Sequence, residues 1–185
     1  MKEPQEPQEQ PENSAAAANA LDDATLNFAH EMFELARGGD AVRLDTLLQQ
    51  GLPPNLRNHK GDSLLMLASY HGHINAVRVL LTHKADPELR NNNGQTPIAG
   101  AAFKGDLPMI QLLLAHGADV EGASPDGKTA LMMAAMFNRT EIVDFLLAQG
   151  AKVDAKDAKG FTPLAAAKMM GAPDTPAQLE KYSAS

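Results

Sequence analysis

A 33-residue step limits what this chain can fold into more than any other feature of its sequence. Gly61, Gly94, Gly127 and Gly160 stand 33 residues apart, and so do Gly39, Gly72, Gly105, Asn138 and Gly171; Gly51, Lys84, Gly117 and Gly150 form a third series with the same step. Three independent series that share one step define a repeat array. In such an array each unit is one supersecondary element that buries its apolar face only by stacking on its neighbours.

The fullest copies occupy residues 58–90, 91–123 and 124–156. Each opens with a polar turn: Asn58-His59-Lys60-Gly61, Asn91-Asn92-Asn93-Gly94 and Ser124-Pro125-Asp126-Gly127. Glycine suits the last position because a tight reversal needs a positive φ that a side chain makes costly. Two positions on comes a hydroxyl, Ser63, Thr96 or Thr129, placed to accept from the free N–H groups of a following helix. Pro97 then sits where its missing donor costs nothing. The first helix is predicted to end at Gly72, Gly105 or Asn138, asparagine being the residue after glycine that best tolerates the left-handed region. A second helix carries the stripes Val77, Leu80, Leu81; Ile110, Leu113, Leu114; and Val143, Leu146, Leu147. It ends at Gly117 or Gly150, but in the first full unit the equivalent residue is Lys84, where a left-handed backbone costs roughly 1 kcal/mol.

The flanking units are incomplete. Residues 24–57 have two apolar stripes, Leu26, Met32, Phe33, Leu35 and then Val42, Leu44, Leu47, Leu48, but no polar opening, as expected of an N-terminal cap. Residues 157–182 open with Asp157-Ala158-Lys159-Gly160-Phe161-Thr162-Pro163-Leu164 and start a helix through Met170. After Gly171, Pro173 and Pro176 intrude, and Gln178, Glu180 and Lys181 leave Leu179 alone in the apolar register. That pattern fits a C-terminal cap whose outer face meets water.

Composition narrows the function. Aromatic residues make up 4 % and there is no Trp, so the core must be built of thin Leu/Ala layers. The absence of Cys excludes disulfides, thiolate catalysis and Cys-ligated zinc. The net charge is −7, and residues 1–23 set Lys2 against Glu3, Glu6, Glu9, Glu12, Asp22 and Asp23, so five of the seven charges lie there. Neither part has the basic stripe that phosphate neutralisation demands, and nucleic acid is not an expected partner. No apolar run approaches the ~20 residues that span a bilayer, and the acidic start lacks a secretory signal's pattern. A cytoplasmic protein with no membrane partner is the expectation. Residues 1–23 form an acidic Pro/Glu/Gln tail expected to be disordered, with Ser14–Leu21 as a nascent helix that nothing fixes.

The segments GDSLLMLA, GQTPIAGA, GKTALMMA and GFTPLAAA, starting at residues 61, 94, 127 and 160, together with Gly72-His73 and Gly117-Ala118-Asp119-Val120, resemble the Gly-x-Thr-Pro-Leu-His-x-Ala signature of the ankyrin repeat family. The resemblance covers residues 24–182 and is closest in kind to small stand-alone bacterial members, some of which accompany stress-defence enzymes. It implies an all-α solenoid of helix-turn-helix units with β-hairpin or turn fingers, three full repeats lying between two caps. It also implies a non-enzymatic, monomeric module without cofactor that binds another protein and regulates or supports it. The signature His is replaced by Met66, Ala99, Met132 and Ala165, so coupling between repeats is expected to rest more on packing than on the family's finger network.

No carboxylate pair, nucleophile elbow or phosphate loop occurs. His71-x-His73 flanks Gly72, but a closed metal site needs three or four converging ligands, so no metal site is assigned. The rival function is a small-molecule or metal-binding protein that uses His59 and Asn91, Asn92 and Asn93 on the fingers. Stacking the units gives a sharper signal. One column reads Arg37, Tyr70, Phe103, Met136, Met169 and the next Gly38, His71, Lys104, Phe137, Met170. The resemblance places both on or beside the concave face. The candidate partner-binding residues are therefore Tyr70, His71, Phe103, Lys104, Met136, Phe137 and Met169, with His59, Asn92 and Phe161 on the fingers. Two readings stay open: a contact stripe rimmed by polar fingers, or side chains packed between neighbouring first helices. Met66, Met132, Met133, Met136, Met169 and Met170 would make such a face adaptable and sensitive to oxidation.

Overall fold

The computed structural model describes the backbone of residues 12–184 and the side chains of residues 23–184. Ten helices lie in this span: α1 (Glu12–Gly38), α2 (Ala41–Gln49), α3 (Leu64–Tyr70), α4 (Ile74–Thr82), α5 (Pro97–Lys104), α6 (Leu107–Ala115), α7 (Ala130–Met136), α8 (Thr140–Ala148), α9 (Pro163–Met170) and α10 (Thr175–Ser183). They pair as α1/α2 through α9/α10, and first helices stack in the order α1, α3, α5, α7, α9. The second helices α2, α4 and α6 stack behind them. The core is one continuous apolar layer that includes Leu44, Val77, Ile110 and Val143 at equivalent positions, each wholly buried. This is an all-α ankyrin solenoid.

The turns account for the regularity. The residues with left-handed φ are eleven glycines plus Lys84 (67°) and Asn138 (56°), and every one belongs to one of the three 33-residue series. Ser63, Thr96, Thr129 and Thr162 each accept from the N–H three residues on, at 3.1–3.4 Å, and so start α3, α5, α7 and α9 at a fixed point. The fingers between units are tight turns rather than hairpins, with a single bridge pair, Arg57 and Ser63, among the described residues. Their shape comes from the first residue: Asn58, Asn91 and Asp157 each accept two backbone N–H bonds at 2.9–3.0 Å from residues two and four further on. Short polar side chains favour such turns for this reason.

Neighbouring units are also bonded to each other through backbone groups. The guanidinium of Arg57 donates to the carbonyl of Arg90, and that of Arg90 to the carbonyl of Ala123, one period away. On the opposite side of these loops, Asn55, Glu88 and Glu121 accept from the N–H groups of Asp86, Asp119 and Lys152 at 2.8–2.9 Å. Finger to finger, the N–H of Asn92 reaches the carbonyl of Lys60 at 2.9 Å and that of Ala158 reaches Asp126 at 2.8 Å. At the helix-helix turns, His73 Nε2 donates to the Arg37 carbonyl at 2.7 Å and Arg139 to that of Phe103 at 3.2 Å. The signature histidines are missing, but coupling between repeats has not been left to packing alone.

Four expectations are corrected. Helix α1 begins at Glu12, well before residue 24, because Ala15–Ala18, Ala20 and Leu21 are strong helix formers continuous with the capping helix; residues 1–11 of the expected tail lie outside the described residues. Leu26 is 68 % exposed, since the neighbouring α3 is only seven residues long and covers just the last turns of α1. Val42 is 80 % exposed. Its register partners one, two and three periods on are Asn75, Pro108 and Glu141, all on the outer face. Met66 and Met132 are buried, 8 % and 1 % exposed, and so offer little accessible surface to a partner, although neither belongs to the continuous core layer.

The polar second helix of the last unit does form. Leu179 and Thr175 are wholly buried, and hydrogen bonds replace the missing stripe. Asn138 accepts from the N–H groups of Asp174 and Thr175 at 2.9 and 3.0 Å and donates to the Asp174 carboxylate at 2.9 Å, Thr175 Oγ1 donates to Ala135 O at 2.7 Å, and Tyr182 donates to Asp144 at 2.8 Å. The neighbouring Asp144 carboxylate holds the Tyr182 phenol above its ordinary ionisation range.

The two left-handed residues that are not glycine should respond to the same substitution with opposite signs. Lys84→Gly relieves backbone strain at an exposed turn and is expected to stabilise by about 1 kcal/mol, or roughly 2–4 °C in Tm. Asn138→Gly loses three hydrogen bonds that begin α10 and is expected to cost about 1–2 kcal/mol net. Thermal melts of both variants check this. A second prediction concerns Glu88, whose burial in the loop ladder, beside Asp119 and Asp86, pushes its carboxyl above the usual range despite the Asp119 N–H bond and Arg90. A raised folded-state value means that the contribution is fully present below the unfolded value and is lost as pH rises through the folded one. Gln keeps the acceptor without the charge. The Tm difference between Glu88→Gln and the parent should therefore grow in favour of the variant between about pH 4 and pH 6.

Candidate functional site

Helices α3, α5, α7 and α9 each start at a hydroxyl cap and run for two turns, so the residues seven and eight places after the cap end up at the C-terminal edge. There the chain turns into the second helix through Gly72, Gly105, Asn138 or Gly171. Tyr70, Phe103, Met136 and Met169 occupy the first of these places, and His71, Lys104, Phe137 and Met170 the second. Tyr70 is 45 % exposed, Met169 62 % and Met170 49 %, while Phe103, Met136 and Phe137 are half-buried. These side chains stand outside the core layer.

Contacts run diagonally across the units, 34 residues apart. The Lys104 ammonium lies 4.3 Å from the centre of the Tyr70 ring, and the Phe103 and Phe137 rings meet edge to face at 4.6 Å. Such cation–ring and aromatic contacts are worth roughly 0.5–1.5 kcal/mol each when partly exposed. They favour the side-chain placements seen here, while Tyr70 remains exposed and Phe103 and Phe137 half-buried.

Together with the fingers these helices enclose a groove of about 760 Å³, lined by Tyr70, Phe103, Met133, Met136 and Phe137 along its apolar side. Ala99 and Gly100, of the middle unit, supply its smallest lining side chains. Gly100 lies inside α5 with no left-handed φ, and a Cβ added to it would meet nothing closer than Tyr70 Cδ2 at 3.9 Å. A helix-interior glycine of this kind costs about 0.5–1 kcal/mol relative to alanine. Its register partners are Leu67, Met133 and Ala166, so the middle unit carries the least side chain at this position and the following unit, with Met133, the most extended one.

The finger side of the groove is polar. Asp62 accepts from Asn91 Nδ2 at 3.0 Å and Asn58 Nδ2 at 3.3 Å. Asp126 is bonded by Lys128 at 2.6 Å and by the Ser124 hydroxyl, and these two donors hold its carboxyl below the ordinary range. Lys60, on the same side, has no carboxylate partner among the described residues, and neither does Lys104.

Four of the ten sequence candidates meet in this groove, and two more lie just beside it. Tyr70, Phe103, Met136 and Phe137 line the groove, and His71 and Lys104 line a shallower hollow of about 370 Å³ on the other side of Tyr70. The other four do not join them. His59 and Asn92 lie on the fingers, and the Asn92 side chain donates to the His59 carbonyl at 3.0 Å, which commits it to holding two fingers together. Phe161 is half-buried and follows the last turn, in register with Asp62, Gln95 and Lys128, rather than standing at its tip. Met169 projects from the end of α9 beyond the groove. Sequence reasoning named Met133 among the methionines of this face but missed Lys60 and the small residues Ala99 and Gly100. The 33-residue register carries the signal for Gly100, as the column Leu67, Gly100, Met133, Ala166. Among the described residues, no three His, Asp or Glu side chains converge as a metal ion would require, and no helix is long and apolar enough to cross a membrane.

A stack of helix pairs with turn fingers and a groove along the first helices defines a repeat protein of the ankyrin class. The family described as ankyrin repeats (three copies) matches residues 32–124 and 101–179, and the chain belongs to that family. It is also 70 % identical over 59 residues to the ankyrin repeat protein PA3287 of Pseudomonas aeruginosa. That alignment covers 32 % of this chain and spans about a third, 34 %, of the relative's length.

Proposed function

We infer that this protein is a non-enzymatic interaction module that binds a protein partner along the groove between its first helices and its fingers. Ankyrin repeats are in general protein-protein interaction modules, and the family is typically non-enzymatic. The observation that carries the reading for this chain is the accessible row of Tyr70, Phe103, Met136 and Phe137 along one groove, outside the core that stabilises the fold. Large apolar side chains lining a groove are the kind of residues on which binding energy concentrates. The four methionines left accessible on this side, Met133, Met136, Met169 and Met170, add adaptability of shape.

Tyr70→Ala and Phe103→Ala are expected to leave the melting temperature close to that of the parent. Each should weaken partner binding by about 2 kcal/mol. The check is a native pull-down with mass spectrometry, run in parallel on parent and variants, followed by calorimetric titration of the protein recovered. A partner held equally well by both variants, or variants that unfold, would remove the groove from the binding role.

A further inference from the structure

The Ala99–Gly100 pair asks for an explanation that the scaffold does not supply. Helix α5 would be more stable with alanine at position 100, the space for a Cβ is open, and the next repeat places Met133 at the equivalent position. The result is a notch in the groove beside the Tyr70 ring, and Phe103 and Met133 line the same groove. A notch on the aromatic and thioether side of a groove, with no charge at Ala99 or Gly100, fits one bulky apolar side chain and rejects a charged one. Charge then selects what flanks that side chain. The groove's two carboxylates, Asp62 and Asp126, are already bonded to internal donors. Lys60 on the finger side and Lys104 at the Tyr70 end have no carboxylate partner among the described residues.

We propose that the Ala99–Gly100 notch is the anchor pocket of the groove and that it takes one aromatic side chain of a partner segment, with acidic residues beside it meeting Lys60 and Lys104. The proposal rests on the groove being the binding face and adds the chemistry of its occupant.

The probe is a phage-displayed library of random 12-residue peptides, selected on the immobilised full chain and read out by deep sequencing. Enriched peptides are then synthesised and titrated against four proteins: the parent, Gly100→Met, Gly100→Ala and Tyr70→Ala/Phe103→Ala. Gly100→Met copies the side chain that the neighbouring repeat carries at this position, so it fills the notch without a change foreign to the fold; its Tm is measured alongside. The expected result is a set of peptides sharing one aromatic residue flanked by Asp or Glu. Their binding should fall about tenfold or more on Gly100→Met and weaken with added salt. Gly100→Ala should bind nearly as the parent does, with Tm raised by about 2 °C. Peptides weakened by Tyr70→Ala/Phe103→Ala but indifferent to Gly100→Met would overturn the notch and leave the groove as binding face. Peptides indifferent to both would overturn the groove as well. A basic consensus, or no enrichment at all, also counts against the proposal.

Discussion

The structure depends on a backbone constraint that recurs at three places in every full unit and at two in each cap. A helix pair of this size can stack on copies of itself only if each reversal of the chain has the same shape. The reversals here are made by residues in the left-handed region, at the finger, after the first helix and after the second. Because each turn is short and bonded to itself, a unit has little freedom to open or rotate. The N–H and C=O groups left over at its edges therefore arrive where the next unit can use them. The links from Arg57 to Arg90 and from Arg90 to Ala123, and the acceptors Asn55, Glu88 and Glu121, follow from that register. Gly39 and Gly105 also leave the room that His73 and Arg139 occupy as they reach back to the preceding unit, since a Cβ there would sit 2.4 and 3.0 Å from those side chains.

Once turns and edges carry the coupling, the first helices need not use all of their surface for it. Their inner sides bury Leu65, Ile98, Leu131 and similar residues, while the C-terminal edge is left to Tyr70, Phe103 and Met136. The diagonal contacts of Lys104 with Tyr70 and of Phe137 with Phe103 arise because consecutive helices are one period apart while the contacting residues are one place further along. The same stack that gives the fold its stability thus lines up an accessible apolar row. The middle unit, with Ala99 and Gly100, supplies the groove's smallest side chains.

Most of the fold was legible because it depends on local chemistry: the hydroxyl caps, the left-handed Lys84 and Asn138, and the second-helix stripes can all be read from types and spacing. What could not be read depends on neighbours. Val42 looks apolar enough for the core, and only its register with Asn75, Pro108 and Glu141 reveals the outer face. Leu26 is exposed because the next helix is too short to reach it, which is a fact about α3 and not about Leu26. The last helix keeps only Leu179 in the apolar register, and the rest of its stabilisation comes from Asn138, more than thirty residues away, instead of from a stripe of its own. At the candidate site the aromatic and methionine columns were visible in the sequence. The notch was not singled out, because an absent side chain makes no pattern until its neighbours are seen to stand around it.

Surface turns and loops, bonded from unit to unit, join the buried helices in holding the array together. Native-state amide hydrogen exchange tests this coupling most directly, because the donors concerned, the N–H groups of Asn92, Asp119, Lys152 and Ala158, lie in segments that would otherwise exchange as open loops. Protection of these four amides approaching that of α5 and α7 is the expected result. Exchange at loop rates, with the helices alone protected, would contradict it and return the coupling between repeats to packing.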